Sequence, residues 1–233
     1  NSIAPHWDGN QVWLLTGGGA IFAAWPTVYA TSFSSFFLAM ILVLAALFFR
    51  PVGFEYRAKI DSPKWRNAWD WALFVGGFVP SLIFGVAFGN LLQGLPFEFN
   101  QFHQVQYTGT FLGLLNPFAL LCGVVSLFML TTQGATWLQM KTTADLRNRA
   151  RGIAQLGAAV TLVAFIVAGV FLYFKDGYVV TSVLDHNAQS LLMKKTVALE
   201  SGAWFKNYQE MPVLWIVPGV AVLGALLTIL ASK

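Results

Sequence analysis

The feature that most constrains this chain is a series of long segments without a charged residue. No Asp, Glu, Lys or Arg occurs between Asp8 and Arg50. Further uncharged segments cover 71–97, 99–140, 152–174 and 211–232. A helix that crosses a membrane needs about 20 predominantly apolar residues. These segments therefore predict an all-α fold, a polytopic transmembrane helix bundle.

Composition supports this class. Hydrophobic residues make up 57% of the chain and charged residues only 10%, whereas soluble domains carry about 25% charged residues. The net charge of +4 is small and its cations are concentrated in two loops, so nucleic acid is not expected as a partner. The single cysteine, Cys122, excludes an internal disulfide and a thiolate iron–sulfur cluster. We expect one integral membrane domain over 1–233.

Helix-breaking residues divide the apolar segments into about six spans. Proline cannot donate to the helical hydrogen-bond ladder, so Trp25-Pro26 should split the first segment into two helices. Residues 93–110 are rich in Gln, Asn, Pro and Gly and predict a loop. The expected spans lie near 6–24, 28–49, 68–92, 111–138, 153–174 and 212–231.

The loop charges predict an orientation, because cytoplasmic loops collect Lys and Arg. Loops 50–66 and 139–152 are rich in both and should be cytoplasmic. Loop 93–110 carries only Glu98, and the long loop 175–211 is balanced, so both should face outward. With six spans the two basic loops fall on the same side, which places Asp8 near the cytoplasmic face.

Local sequence patterns predict short elements in the outer loop and close packing at two pairs of glycines. In the outer loop, a turn at 175–177, a short strand near 178–183 and a weakly helical pattern over 193–204 are predicted. Gly85-x-x-x-Gly89 and Gly109-x-x-x-Gly113 have the spacing that lets helix backbones approach closely. Packing within the bundle is the favoured interpretation of both pairs.

Asp8 has two interpretations. Its carboxylate could cap the first helix by accepting backbone N–H groups and favouring the positive helix end. Alternatively it relays protons at the cytoplasmic mouth, with Asn10 and Gln11 holding water there. An ionisable residue at the edge of the hydrocarbon costs ~3 kcal/mol unless it has a partner, which makes it a functional candidate.

The histidines and tryptophans bear on cofactors and small molecules. Only His6 lies near a span, while His103 and His186 fall in outer loops, so no histidine is placed deep in a helix as an axial haem ligand. We expect this chain to bind no haem and no metal. Trp13 lies inside its helix beside the triple glycine 17–19, where its ring could border a small-molecule path.

Five ordered motifs then carry a resemblance that extends over the whole chain. The chain closely resembles subunit II of the cytochrome bd-type quinol oxidases. The motifs are APHWDGNQVW at 4–13, AAWP at 23–26, FFRPVGFEYR at 48–57, GVAFGNLLQG at 85–94 and TQGA at 132–135. Family subunits have a further helix before Asn1 and more helices beyond Lys233, so a fragment holding the second to seventh helices is expected.

The resemblance implies a function for the complex rather than for the chain alone. It implies a heterodimer in the bacterial cytoplasmic (inner) membrane, in which a haem-bearing subunit I holds haems b and d and oxidises quinol. Subunit II would support assembly and give protons and oxygen access to the site of oxygen reduction. Membrane lipid and a small accessory subunit are further candidate partners, and some relatives hold a structural quinone in this subunit.

The same resemblance assigns roles to individual residues. Asp8 matches the family acid of a proposed cytoplasmic proton path, which Asn10 and Gln11 would support. Glu55 stands where relatives commonly have Asp, which keeps the charge on a longer side chain. Trp13 is the candidate for the oxygen path.

A secondary transporter is the alternative function. It would need inverted repeats and broken helices, and the spans show no internal repeat.

Overall fold

The computed structural model describes residues 6–102, 104–182 and 196–232, and the side chains of Trp7, Asp8, Asn10 and Gln11 lie outside that description. The described residues are mostly helical, and four short strands form two hairpins on the connections. The helices are α1 (Trp7–Ala24), α2 (Pro26–Ser35), α3 (Phe37–Tyr56), α4 (Pro63–Gln93), α5 (Pro117–Lys141), α6 (Ala144–Tyr173), α7 (Ala203–Glu210) and α8 (Ile216–Ala231).

Five of the described helical segments are long and apolar enough to cross a membrane, and Val12–Ala24 of α1 is a shorter apolar helix. The five are α3, α4, α5, α6 and the segment Pro212–Ala231, in which a 3-10 turn leads into α8. The predicted all-α, polytopic membrane bundle is confirmed.

The expected helix over 28–49 is wrong in its bounds, because the chain breaks at Phe36 between α2 and α3. The hydroxyl groups of Thr31 and Ser35 donate to the carbonyl oxygens of Thr27 and Thr31 at 2.8 and 2.7 Å. Such hydrogen bonds to the preceding turn bend helices. The Ser- and Thr-rich segment before Phe36 therefore accounts for a break that hydropathy does not show.

Several helices also continue into the expected loops. α3 runs through Pro51 to Tyr56, although an interior proline removes one hydrogen bond from the helix and crowds the preceding turn. α6 begins at Ala144, so most of the expected basic loop 139–152 is its first two turns. At the opposite end α5 begins later than expected, at Pro117, after the 3-10 helix Leu112–Leu115.

Small residues form the contacts between the central helices, and α5 packs most extensively against α6 and α4. Ala119 of α5 is fully buried. A Cβ added at Gly89 of α4 would lie 2.7 Å from the Cα of Ala119. The interpretation of Gly85-x-x-x-Gly89 as packing within the bundle is confirmed. It is wrong for Gly109 and Gly113, which lie in the connection before α5 rather than on one helix.

The outer connections are partly ordered as hairpins. β1 (Phe97–Phe99) pairs antiparallel with β2 (Val105–Tyr107) in a segment expected to be a loop. β3 (Asp176–Val180) pairs with β4 (Val197–Ser201), which agrees with a strand near 178–183 for its described part. The helical pattern expected over 193–204 is wrong where it is described, since 197–201 are strand and α7 begins at Ala203; residues 193–195 lie outside the described residues.

Most of the basic residues lie at one end of the bundle. α3, α4, α5 and α6 pack as sequential neighbours, and the α3–α4 and α5–α6 connections fall at the same end. Lys59 lies on the first of these connections with its Nζ 4.2 Å from the centroid of the Tyr56 ring. Lys141 ends α5 with its Nζ 5.1 Å from the Trp137 ring centroid. The prediction that this end is cytoplasmic rests on the charge bias.

We expect Lys59→Cys in the full-length protein to resist a membrane-impermeant thiol reagent in intact cells and to react once the cells are permeabilised. Lys206→Cys, on the exposed polar side of α7, is the matched control and should react in intact cells. The parental chain, with Cys122 partly buried among the helices, gives the background. Strong labelling at position 59 in intact cells would reverse the orientation.

Candidate functional site

The start of α1 lies beside the end of α5. The His6 ring, just before α1, contacts the Trp137 ring edge to face with centroids 5.6 Å apart. Trp137 lies one turn before Lys141, at the basic end of the bundle. The first turn of α1, which includes Asp8, is therefore on the same side as the basic connections, as the charge pattern predicts.

Helix geometry separates the candidates on α1 into two groups. Residues three positions apart share a helix face, so Asp8 shares a face with Gln11, while Asn10 shares one with Trp13. His6 occupies the N-cap position, which makes Asp8 the second helical residue rather than the cap itself. A carboxylate in the first turn is still favoured by the helix dipole. Positions 8 and 13 therefore lie on different faces of α1.

Trp13 and the glycines that follow it face open space. Its side chain is 75% exposed, and nothing lies within 4 Å of a Cβ added at Gly17, Gly18 or Gly19. This face of α1 is thus uncovered within the part of the chain that the structure describes. Glycines let another helix approach closely in a membrane, so this face suits helix–helix contact.

Glu55 lies on the last turn of α3 and is exposed. A nearby ion pair does not include Glu55: Arg57 binds Asp70 of α4 through two hydrogen bonds, one of them from Nη2 to Oδ2 at 2.9 Å. Hydrogen bonding to the Asp70 carboxylate raises the pKa of the Arg57 guanidinium. Glu55 thus shares this end of the bundle with the first turn of α1.

A large apolar cavity of about 720 Å³ opens between α4, α5, α6 and the start of α8. Leu14 of α1 reaches it from one side, and Phe88 and Met129 lie in its wall. α7 covers its outer end with three aromatic residues, Trp204, Phe205 and Tyr208, while Lys206 and Asn207 on the other side of that helix are exposed. α7 thus closes the cavity at the level where aromatic residues favour the membrane–water interface.

The ends of α4 and α5 that lie away from the basic connections are joined by a chain of amide groups. Asn90 is 5% exposed, and its Nδ2 donates to the carbonyl oxygens of Val86 at 2.8 Å and Leu114 at 2.7 Å. Asn116 Nδ2 donates to Asn90 Oδ1 at 3.0 Å, and Gln93 Nε2 donates to Asn116 Oδ1 at 2.7 Å. A buried polar network of this kind specifies one arrangement of the helices because each group needs its partner.

No group of three or more His, Cys, Asp or Glu side chains that could hold a metal ion occurs within residues 6–102, 104–182 and 196–232. His6 is exposed, and His103 and His186 lie outside the described residues. The expectation that this chain holds no haem remains a prediction.

Comparison with known proteins agrees with the motifs. A family model described as cytochrome bd terminal oxidase subunit II matches residues 1–233. The chain belongs to this family. It is 70% identical over 233 residues to a probable cytochrome oxidase subunit 2 of Haemophilus influenzae, and 59% identical over 234 residues to the cytochrome bd-I ubiquinol oxidase subunit 2 of Escherichia coli K12. Each alignment covers all of this chain and 62% of the relative.

A more distant relative of this subunit II family shows the same membership. The cytochrome bd ubiquinol oxidase subunit 2 of Bacillus subtilis is 40% identical over 167 residues, which is 70% of this chain and 47% of that protein. The chain thus spans less than two thirds of the length of these relatives. The matching family and relatives are oxidase subunits and not secondary transporters. The transporter alternative is therefore not favoured.

Two features of this subunit II chain escaped the sequence analysis. The amide network joins Asn90 to Asn116 across two helices, and the only local signal was a pair of amides one turn apart, Asn90 and Gln93, at the end of a long apolar helix. The second feature is the pairing of Arg57 with Asp70, which joins the end of α3 to α4, a helix that begins two turns before Asp70, at Pro63.

Proposed function

We propose that this chain is the haem-free subunit II component of a membrane-bound quinol oxidase, which passes electrons from quinol to oxygen and forms water. The observation that carries the proposal is the family match over all 233 residues, with 59% identity to a ubiquinol oxidase subunit. The membrane-spanning helices support it, since quinol is dissolved in the bilayer. Catalysis would belong to the complex and not to the chain alone.

The partner we propose is a haem-bearing subunit I that carries haems b and d, in the bacterial inner membrane. The open face of α1, with Trp13 and the glycines at 17–19, supports a helix contact there. Small residues at membrane helix interfaces allow the close approach that dispersion forces need. A small accessory subunit and lipid would cover other exposed apolar faces.

Within the complex, we propose that α1 provides two paths. Asp8, with Gln11 on the same face and Asn10 nearby in sequence, takes protons from the cytoplasm toward the site where water forms. Glu55, exposed at the same end of the bundle, is a further proton-path residue. Trp13 borders the path of oxygen, a small apolar molecule that needs an apolar route.

The apolar cavity fits the tail of a structural quinone of the kind that some relatives hold. Its volume of about 720 Å³ lies in the range of ligand pockets, about 300–1,000 Å³. Its walls are mainly aliphatic and aromatic side chains, which suit an isoprenoid tail. Ser126 and Tyr208, which also line the cavity, carry hydroxyl groups that can form hydrogen bonds. We place the tail between α4, α5 and α6, beneath α7.

Complementation tests the proposed function. A bacterial strain without terminal quinol oxidases, given the genes for the full-length protein and for its haem-bearing partner, should regain quinol-dependent oxygen uptake in isolated membranes. Either gene alone should leave the membranes inactive. Equal uptake with the partner gene alone would contradict a required role for this subunit.

A further inference from the structure

At the basic end of the bundle, α5, α6 and α8 enclose a groove of about 590 Å³ that the proposed function does not use. We call it the α5–α6–α8 groove. Its polar part is formed by Thr136, Gln139, Thr143, Arg147, Thr228 and Ser232. Its apolar part includes Met140 of α5 and Leu227 of α8. A groove that is half polar and half apolar suits an amphipathic ligand.

The walls of the groove are held together by the protein itself. Ser232, at the end of α8, is 3% exposed. Its carbonyl oxygen accepts a hydrogen bond of 2.9 Å from Gln155 Nε2 of α6, and its Oγ accepts one of 3.4 Å from Gln139 Nε2 of α5. The three helices are therefore tied to one residue, and the groove is preformed.

The side-chain donors of the groove that have no partner among the described residues favour an anionic ligand. The hydroxyl groups of Thr136 and Thr228 already donate to backbone carbonyl oxygens at 2.9 and 2.8 Å. Thr143 precedes α6 and makes no capping hydrogen bond with its side chain. Arg147 is exposed and forms no ion pair within the described residues. An arginine and a hydroxyl side by side are donors that suit phosphate oxygens.

The charge around the groove points the same way. The end of α5 and the first turns of α6 carry four cations, Lys141, Arg147, Arg149 and Arg151, against one acid, Asp145. The groove lies where the ends of three apolar helices meet, which is the headgroup level of a membrane. Basic pockets between transmembrane helices at this level bind anionic headgroups.

We propose that the α5–α6–α8 groove binds an anionic phospholipid, whose phosphate contacts Arg147 and Thr143 and whose acyl chain lies against Met140 and Leu227. The lipid would lie in the leaflet at the basic end of the bundle and join α8 to the α5–α6 connection. This lipid site is separate from the apolar cavity beneath α7 and does not depend on the proposed oxidase function.

The test is native mass spectrometry of the full-length protein in its complex, titrated in detergent with phosphatidylglycerol. Arg147→Gln should weaken the first phosphatidylglycerol bound by about fivefold, the effect of losing one cation near an anionic lipid. Arg149→Gln is the matched control, since it removes the same charge from an exposed residue of the same helix that does not line the groove. Phosphatidylcholine should bind all three proteins equally.

Two further arms separate the other occupants. Ala231→Trp should block the groove while keeping every cation, and it should weaken phosphatidylglycerol at least as much as Arg147→Gln. Equal weakening by Arg147→Gln and Arg149→Gln would show nonspecific attraction and overturn the site. Unchanged binding in Arg147→Gln or Ala231→Trp would overturn it as well. Inorganic phosphate that binds as tightly as the lipid and is lost in Arg147→Gln would assign a free anion instead.

Discussion

Gly85→Leu should largely abolish assembly of the full-length protein into a stable complex, because α4 and α5 touch through backbone at this point. A Cβ added at Gly85 would lie 2.6 Å from the Cβ of Ser126 and 2.7 Å from the Cα of Gly123, and it would also overlap the carbonyl oxygen of Cys122. Backbone atoms cannot move aside as a flexible side chain can. The two helices would have to separate, at a cost of about 3 kcal/mol or more.

The separation would also disturb the outer amide network, since Gly85 and Asn90 lie on neighbouring turns of α4. Gly77→Leu is the matched control. It lies two turns earlier on the same helix, and nothing is within 4 Å of a Cβ built there. The assay is the amount of complex extracted from membranes and its midpoint of thermal unfolding. If both variants lowered the amount of complex and its unfolding midpoint equally, assembly would not depend on the close contact between α4 and α5.

Asp8→Asn should slow oxygen consumption by about tenfold or more while leaving the amount of complex unchanged, if Asp8 passes protons as we propose. Asparagine keeps a side-chain oxygen but cannot take up and release a proton. The acid lies in the first turn of α1, at the end of the bundle that the charge bias predicts to be cytoplasmic. Loss of the favourable interaction with the helix dipole costs only about 0.3–1 kcal/mol, so assembly should survive.

Asp145→Asn provides the control for Asp8→Asn. Asp145 is also a first-turn acid, in α6 at the same end of the bundle, and it is exposed. The helix-dipole effect of the two substitutions should be similar, whereas only the substitution at position 8 should slow turnover. Turnover of Asp8→Asn at the parental rate across pH would reduce Asp8 to a residue that starts a helix.

The sequence predicted the class of fold because hydrocarbon imposes one strong requirement, a run of apolar residues long enough to span it. The position of the chain break at Phe36 was not predicted, since it depends on hydroxyl groups of Thr31 and Ser35 that leave hydropathy unchanged. The hairpin of β1 and β2 was missed for a related reason. Its three paired positions are too few to give a clear alternating pattern.

The candidate site was predictable only in part. The uncharged segment after Asp8 indicates where an acid meets the membrane, and the contact of His6 with Trp137 supports that location. The pairing of Arg57 with Asp70 and of Asn90 with Asn116 was not predictable, because each joins residues that are distant in sequence. Such contacts depend on how the helices are aligned, which a periodic pattern does not determine.

We propose that this chain works as a haem-free subunit beside a haem-bearing partner. The most direct test is the haem content of the purified full-length complex after His6, His103 and His186 are replaced together. We predict that the ratio of haem to assembled complex, measured from the absorption spectrum and the protein concentration, equals that of the parental complex. Loss of one haem from a complex that still assembles would contradict the claim and make this chain a haem ligand.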